Sequence, residues 1–174
     1  MSIDELASVV SPPPGVHPGE VDWQSVERLI GCALPADYKE MVRRYGPGCF
    51  SHFIHIYQSS SELRAIDLPT QVGDSLWALR YLRDAGEPMP YRIDDPAEVL
   101  AFGRTDNGDV LFWRRMDIEA PDTWTVLVKE PRGEGWFEFP GDMSGFLAKV
   151  LDRTLAVPIF PRRFPSMAPI FESY

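Results

Sequence analysis

The chain has 174 residues, 44% of them hydrophobic and 12% aromatic, enough for one well-buried core and too few for two ordinary domains. Its formal net charge is −9, which argues against direct nucleic-acid binding, since that needs a cationic surface to release phosphate counterions. The acidity favours a basic protein partner, or simply solubility.

Residues 2–10 place Ile3, Leu6 and Val10 at helical spacing and predict a short amphipathic helix. "SPPPGVHPGE" then breaks regular structure, because Pro12, Pro13, Pro14 and Pro18 fix φ and remove donors. Residues 1–20 therefore read as a helix and a proline-rich leader. Asp22 is the expected N-cap of a helix from Trp23 to Ile30, with Gly31 in the left-handed position that ends it. Pro35 suits the first turn of a second helix, whose Tyr38, Met41, Val42 and Tyr45 share one apolar face before Gly46 stops it.

"HFIHIY" alternates, with Ile54 and Ile56 on one face and Phe53, His55 and Tyr57 on the other, so it reads as a strand. Ser59–Ser61 read as a loop. Val72, Leu76, Leu79 and Leu82 trace a helical stripe from Val72 to Ala85, ended by Gly86 and Pro88. "VLAFGRTDNGDVLFWRR" predicts a hairpin in which Asn107 and Gly108 supply the two positive-φ residues of a type I′ turn. "TWTVLVKE" and "GWFEFP" add two strands, and Asp142 to Leu155 a last amphipathic helix. The order implies a single α+β domain over residues 21–155: a mainly antiparallel meander, with an N-terminal helix pair and a C-terminal helix packed on it.

The segment "PIFPRRFPSMAPIFESY", within residues 156–174, cannot be helical, yet it carries Phe160, Phe164, Met167 and Phe171. It is expected to strap the domain's own surface, or else to pack on another chain.

Catalytic candidates are weak. Asp106 and Asp109 bracket the Asn-Gly turn, where turn chemistry favours aspartate in any case. His52 and His55, three apart on a strand, point to opposite faces. No G-x-S-x-G elbow or phosphate-cradling glycine loop is present. Cys32 and Cys49 lack CxxC spacing and form no zinc pattern with His17, His52 and His55, so they read as buried thiols in a reducing compartment. Neither a metal nor another cofactor is expected, and the chain is not expected to be an enzyme. The opening "MSIDELASVV" lacks a cationic signal-peptide start, and no run is long enough to span a bilayer, so a cytoplasmic location away from membranes is expected.

Charge is more informative. Between Asp84 and Asp122 stand ten acids against four arginines, a local balance of −6 within the chain's −9. These acids fall in the loops around the meander, where binding residues concentrate. Asp94, Asp95, Asp106, Asp109, Glu119 and Asp122 are the expected protein-contact acids, steering a basic partner.

Glu27, Leu29, Gly31, Leu34, Pro35, Asp37, Tyr38, Tyr45 and Gly46 resemble the opening of the SUKH superfamily, the Smi1/Knr4 domains: a helix with a glutamate, a Leu-Pro step and a second helix with an aromatic residue. "VLAFGRTDNGDVLFW" and "GWFEFPGDMSGFLAKVL" resemble its strand–turn–strand and its closing strand and helix. The resemblance runs from about Val21 to Leu155. It implies a non-catalytic binding domain, since that family has no common catalytic residues. Many bacterial members are immunity proteins that block a cognate toxin domain, often a nuclease or deaminase, and fungal members are scaffolds in cell-wall signalling. The resemblance therefore implies neutralisation of a toxin by occluding its basic active cleft or, alternatively, a regulatory scaffold that binds a host signalling protein. It leaves the leader before Val21 and the segment after Leu155 unexplained.

Overall fold

The computed structural model describes residues 3–15, 20–59 and 63–174; His17, Ser60 and Ser61 lie outside them. Helix formation follows its capping residues. In α2 (Trp23–Ile30) the Asp22 carboxylate accepts from the Ser25 backbone N–H at 3.1 Å, and Gly31 ends the helix at φ 85°. The Leu-Pro step is closed by Glu27, which accepts from the Leu34 backbone N–H at 2.8 Å and pairs with Lys39 at 2.6 Å. In α3 (Ala36–Tyr45), Tyr38, Met41, Val42 and Tyr45 are all buried. Both tyrosines also satisfy their hydroxyls: Tyr38 donates to the Tyr57 carbonyl and Tyr45 to the Val10 carbonyl, each at 2.7 Å.

Helix α1 (Ile3–Val9) turns Ile3 and Leu6 inward and packs on α5 (Met143–Leu151). Asp142 caps α5 by accepting from Gly145 at 2.8 Å, and Asp37 of α3 accepts from the neighbouring Ser144 at 2.8 Å. Helix α4 (Leu68–Asp84) begins four residues before the apolar stripe suggests. The Asp67 carboxylate caps it through Thr70, and Pro69 sits where an N–H has no partner within the helix.

Among the described residues the strands are β1 (Gly48–Phe50), β2 (Ile54–Ile56), β3 (Val99–Thr105), β4 (Val110–Arg114), β5 (Thr125–Lys129), β6 (Trp136–Phe139) and β7 (Phe171–Ser173). They form one antiparallel sheet in the order β6-β5-β4-β3-β2-β1-β7. The architecture is α+β. One sheet face carries Phe50, Trp113 and Phe139 against α3 and α5: Tyr38 meets Trp113 edge-on at 5.1 Å, and Phe146 meets Phe139 at 5.7 Å. The other face, with Val110 and Phe112, lies under α4. Cover on both faces explains why β4 and β5 read as near-continuous apolar runs.

Two local expectations are corrected. Asn107 does not take positive φ; only Gly108 does, at 89°. Gly108 N–H donates to the Thr105 carbonyl at 3.0 Å and Thr105 N–H to the Asp109 carbonyl at 2.9 Å, which makes a longer turn ending on a left-handed glycine rather than type I′. The tight turn with two positive-φ central residues lies instead between β1 and β2, at Ser51 (51°) and His52 (54°), closed by Phe53 N–H to the Phe50 carbonyl at 3.0 Å. His52 and Phe53 therefore belong to this turn, and the strand starts at Ile54. Residues 171–173, within the expected strap, lie on the domain as a strand on β1. A Cβ at Gly48 would collide with the Glu172 carbonyl, so glycine permits that pairing.

Replacing Gly108 by Val should destabilise the protein by about 1–2 kcal/mol, because a β-branched residue resists positive φ. A Cβ there meets only Pro131 at ordinary distance, 3.5 Å. The cost read in urea unfolding is thus backbone strain, and an unchanged midpoint would refute the turn geometry.

Candidate protein-binding surface

The six acids do not form one patch. Asp94 and Asp95 precede β3, whereas Asp106 and Asp109 follow its end; β4 then returns the chain, so Glu119 and Asp122 rejoin the first pair. The seven residues of β3 separate the two groups by roughly 20 Å.

Asp109 is withdrawn from a contact role. It is 2% exposed, and its carboxylate accepts from the Thr105 hydroxyl at 2.6 Å. Burial pushes its carboxyl above the usual range, opposed by the Thr105 bond. A raised folded-state pKa means that the protonated form favours folding and that this stability fades as pH rises through that pKa. Asp109→Asn should therefore match or exceed wild-type stability at neutral pH. Its advantage should shrink as pH falls through that raised pKa, where wild-type Asp109 also becomes neutral. Urea unfolding at several pH values checks this.

The remaining acids differ in freedom. Asp122 accepts from the Ala36 backbone N–H at 2.7 Å and so caps α3. Asp94 is bound to Arg83 at 2.8 Å. Asp95 and Glu119 are exposed, with no side-chain partner among the described residues.

Asp106 belongs to a different cluster, beside β7. His55 Nε2 lies 2.7 Å from Asp106, and His55 Nδ1 contacts the Tyr174 hydroxyl. His52 Nδ1 lies 2.5 Å from Glu172, and Cys49 of β1 pairs in register with Glu172 of β7. The residue types imitate a relay with a nucleophile, but neither the thiol nor the phenol is activated. Burial, with the Glu172 and Asp106 carboxylates, raises the Cys49 pKa and holds it as a thiol. Burial also pushes Tyr174 up to about 12, far from an activated phenolate. The cluster holds β7 on the sheet. Among the described residues no group of His, Cys, Asp and Glu is suited to a metal ion, and no helix is long and apolar enough to cross a membrane.

A different surface stands out on α4. Trp77 is 68% and Tyr81 64% exposed, and their rings stack at 5.8 Å. The sequence carried a signal for this: both fall about 140–180° around the helix from Val72, opposite the buried stripe. Arg80, one turn from Trp77, reaches Asp94 at 3.8 Å. Beside it, a hollow of about 150 Å³ gathers Leu76, Arg80, Asp95 and Ile118. Leu29 and Met116 are exposed as well.

Residues 20–142 match a family described as SMI1-KNR4 cell-wall, SUKH_6. The chain belongs to the SMI1-KNR4 family. Comparison with curated proteins and with solved structures gives no match. SUKH domains are commonly immunity proteins and are generally non-catalytic binding domains. In this SUKH domain most family-like residues of the opening are structural, while Leu29 is exposed. Glu27 closes the Leu-Pro step, Tyr38 ties α3 to the chain after β2, and Gly31 and Gly46 end helices.

Proposed function

We propose that this SUKH domain is a non-catalytic immunity protein that captures a basic toxin domain and occludes its active cleft. The outer face of α4 and the adjoining acidic loops make the contact. The exposed, stacked Trp77–Tyr81 pair carries the reading. Trp and Tyr are the residues most enriched among interface hot spots, and a soluble helix seldom leaves two of them stacked in water without a use. Asp94, Asp95 and Glu119 supply a negative rim; Asp106, on the opposite end of β3, supplies a separate negative point. The work is steric and electrostatic and needs no cofactor. A scaffold role would use the same face on a signalling protein, and it differs in that its partner is not inhibited.

The test pairs the protein with the toxin-domain product of an adjoining gene. Trp77→Ala should weaken the complex by about 2 kcal/mol or more, roughly thirtyfold. The triple change Asp94→Asn, Asp95→Asn, Glu119→Gln should slow association several-fold and flatten its salt dependence. Tight binding that ignores both sets of changes would remove this face from the interface, and a complex with full toxin activity would favour the scaffold.

A further inference from the structure

Between α4 and the sheet runs a groove of about 340 Å³, within the range of small-ligand sites, about 300–1,000 Å³. Its walls are mostly apolar, from Leu79 and Leu82 on α4 and Val110 and Phe112 on β4. Arg104 of β3 and Tyr57 also line it.

Arg104 is the anomaly. It is partly buried, its Nε is fully enclosed without a hydrogen-bond partner, and its guanidinium has no ion pair among the described residues. In a chain of net charge −9 such an arginine would ordinarily find a carboxylate, because desolvating part of a charged group without a partner is costly, and its terminal nitrogens remain open to a ligand. The other charged groups of the groove are all engaged. Lys129 lies 2.8 Å from Glu87, Asp74 lies 3.6 Å from Arg64, and Glu130 accepts from the Gly135 backbone N–H at 2.8 Å. The Tyr57 hydroxyl likewise has no partner among the described residues, and Arg104 is close enough for its charge to oppose the effect of burial on that phenol. One cationic fork and one phenolic donor thus sit within an apolar trough.

We propose that this groove binds a small amphiphilic carboxylate, its head held by Arg104 with the Tyr57 hydroxyl and its apolar body lying against Leu79, Leu82, Val110 and Phe112. A guanidinium fork matches a carboxylate in two-point geometry, and a charge-assisted bond of this kind distinguishes an acid from a neutral molecule of the same shape. Asp74 and Glu130 at the rim would repel a dianion, so a single negative charge is preferred. The site is distinct from the exposed aromatic face of α4, because its lining faces the sheet.

The experiment titrates methyl-labelled full-length protein with octanoate, octan-1-ol and octylamine. Octanoate should bind saturably, shift the methyl signals of Leu79, Leu82 and Val110, and raise the melting temperature. The alcohol should bind at least about tenfold more weakly and the amine not at all. Arg104→Gln should cost octanoate about tenfold or more while leaving the fold intact, since no side-chain bond among the described residues is lost. Ala78→Trp, at the exposed rim, should block the groove in a protein that keeps Arg104. Absence of saturable octanoate binding at millimolar concentration, equal affinity for acid and alcohol, or full binding by Arg104→Gln would each overturn the proposal.

Discussion

Replacing Phe160 by alanine should lower the unfolding free energy by about 3–5 kcal/mol, the range for emptying a buried aromatic position. Phe160 is 6% exposed and lies edge-on to Phe53 at 5.4 Å, to Phe164 at 6.0 Å and to Phe146 of α5 at 6.4 Å. Its ring joins the β1–β2 turn, the C-terminal strap and the last helix, so its removal leaves a void bordered by three segments. Met167, in the same strap, is 68% exposed, and Met167→Ala should change stability by no more than about 0.5 kcal/mol. Equal effects of the two substitutions in chemical denaturation would show that the strap does not pack on this domain.

Glu87→Ala is expected to cost a similar amount, by a different route. Lys129 is only 3% exposed, its Nζ 2.8 Å from Glu87 Oε1 and 2.9 Å from the Glu130 carbonyl, which it donates to, with the Trp136 ring at 5.9 Å. The Glu87 contact is an ion pair by distance without the alignment of a hydrogen bond, so its contribution is mainly Coulombic. Removing Glu87 leaves the ammonium enclosed without its counter-charge, a loss of about 3–5 kcal/mol and a fall in Tm of about 10 °C or more. The double variant Glu87→Ala, Lys129→Met should recover most of that loss, because a methionine needs no counter-charge. If the single variant proved as stable as wild type, Lys129 would be reaching solvent.

The caps and apolar stripes were legible because their chemistry is local. Asp22, Gly31 and Asp142 act on residues within one turn of themselves, and Tyr38, Met41, Val42 and Tyr45 declare one face through spacing alone. The turns were harder. Asn-Gly favours two positive-φ residues, but the Thr105–Asp109 hydrogen bonds select a longer loop. Ser51 and His52 take positive φ with no residue type to announce it, held there by the pairing of Phe50 with Ile54. The strand Phe171–Ser173 was illegible, because three residues after a run of prolines carry no periodicity. The acids are neighbours in sequence but not in space. A strand of seven residues divides them in space, and side-chain alternation at its turn buries Asp109.

The pairing of β1 with β7 also governs how the chain assembles. Strands β3 to β6 join by short connections and can zip in sequence order. The register of Cys49 with Glu172, like the packing of α1 on α5, joins segments more than a hundred residues apart. Closing such loops costs entropy before any contact repays it, and a high share of distant contacts slows folding. The meander should therefore gain amide protection early and the β1–β7 seam last. Beside that seam, Cys49 becomes buried, and His52 and His55 meet Glu172 and Tyr174, only when the fold is otherwise complete.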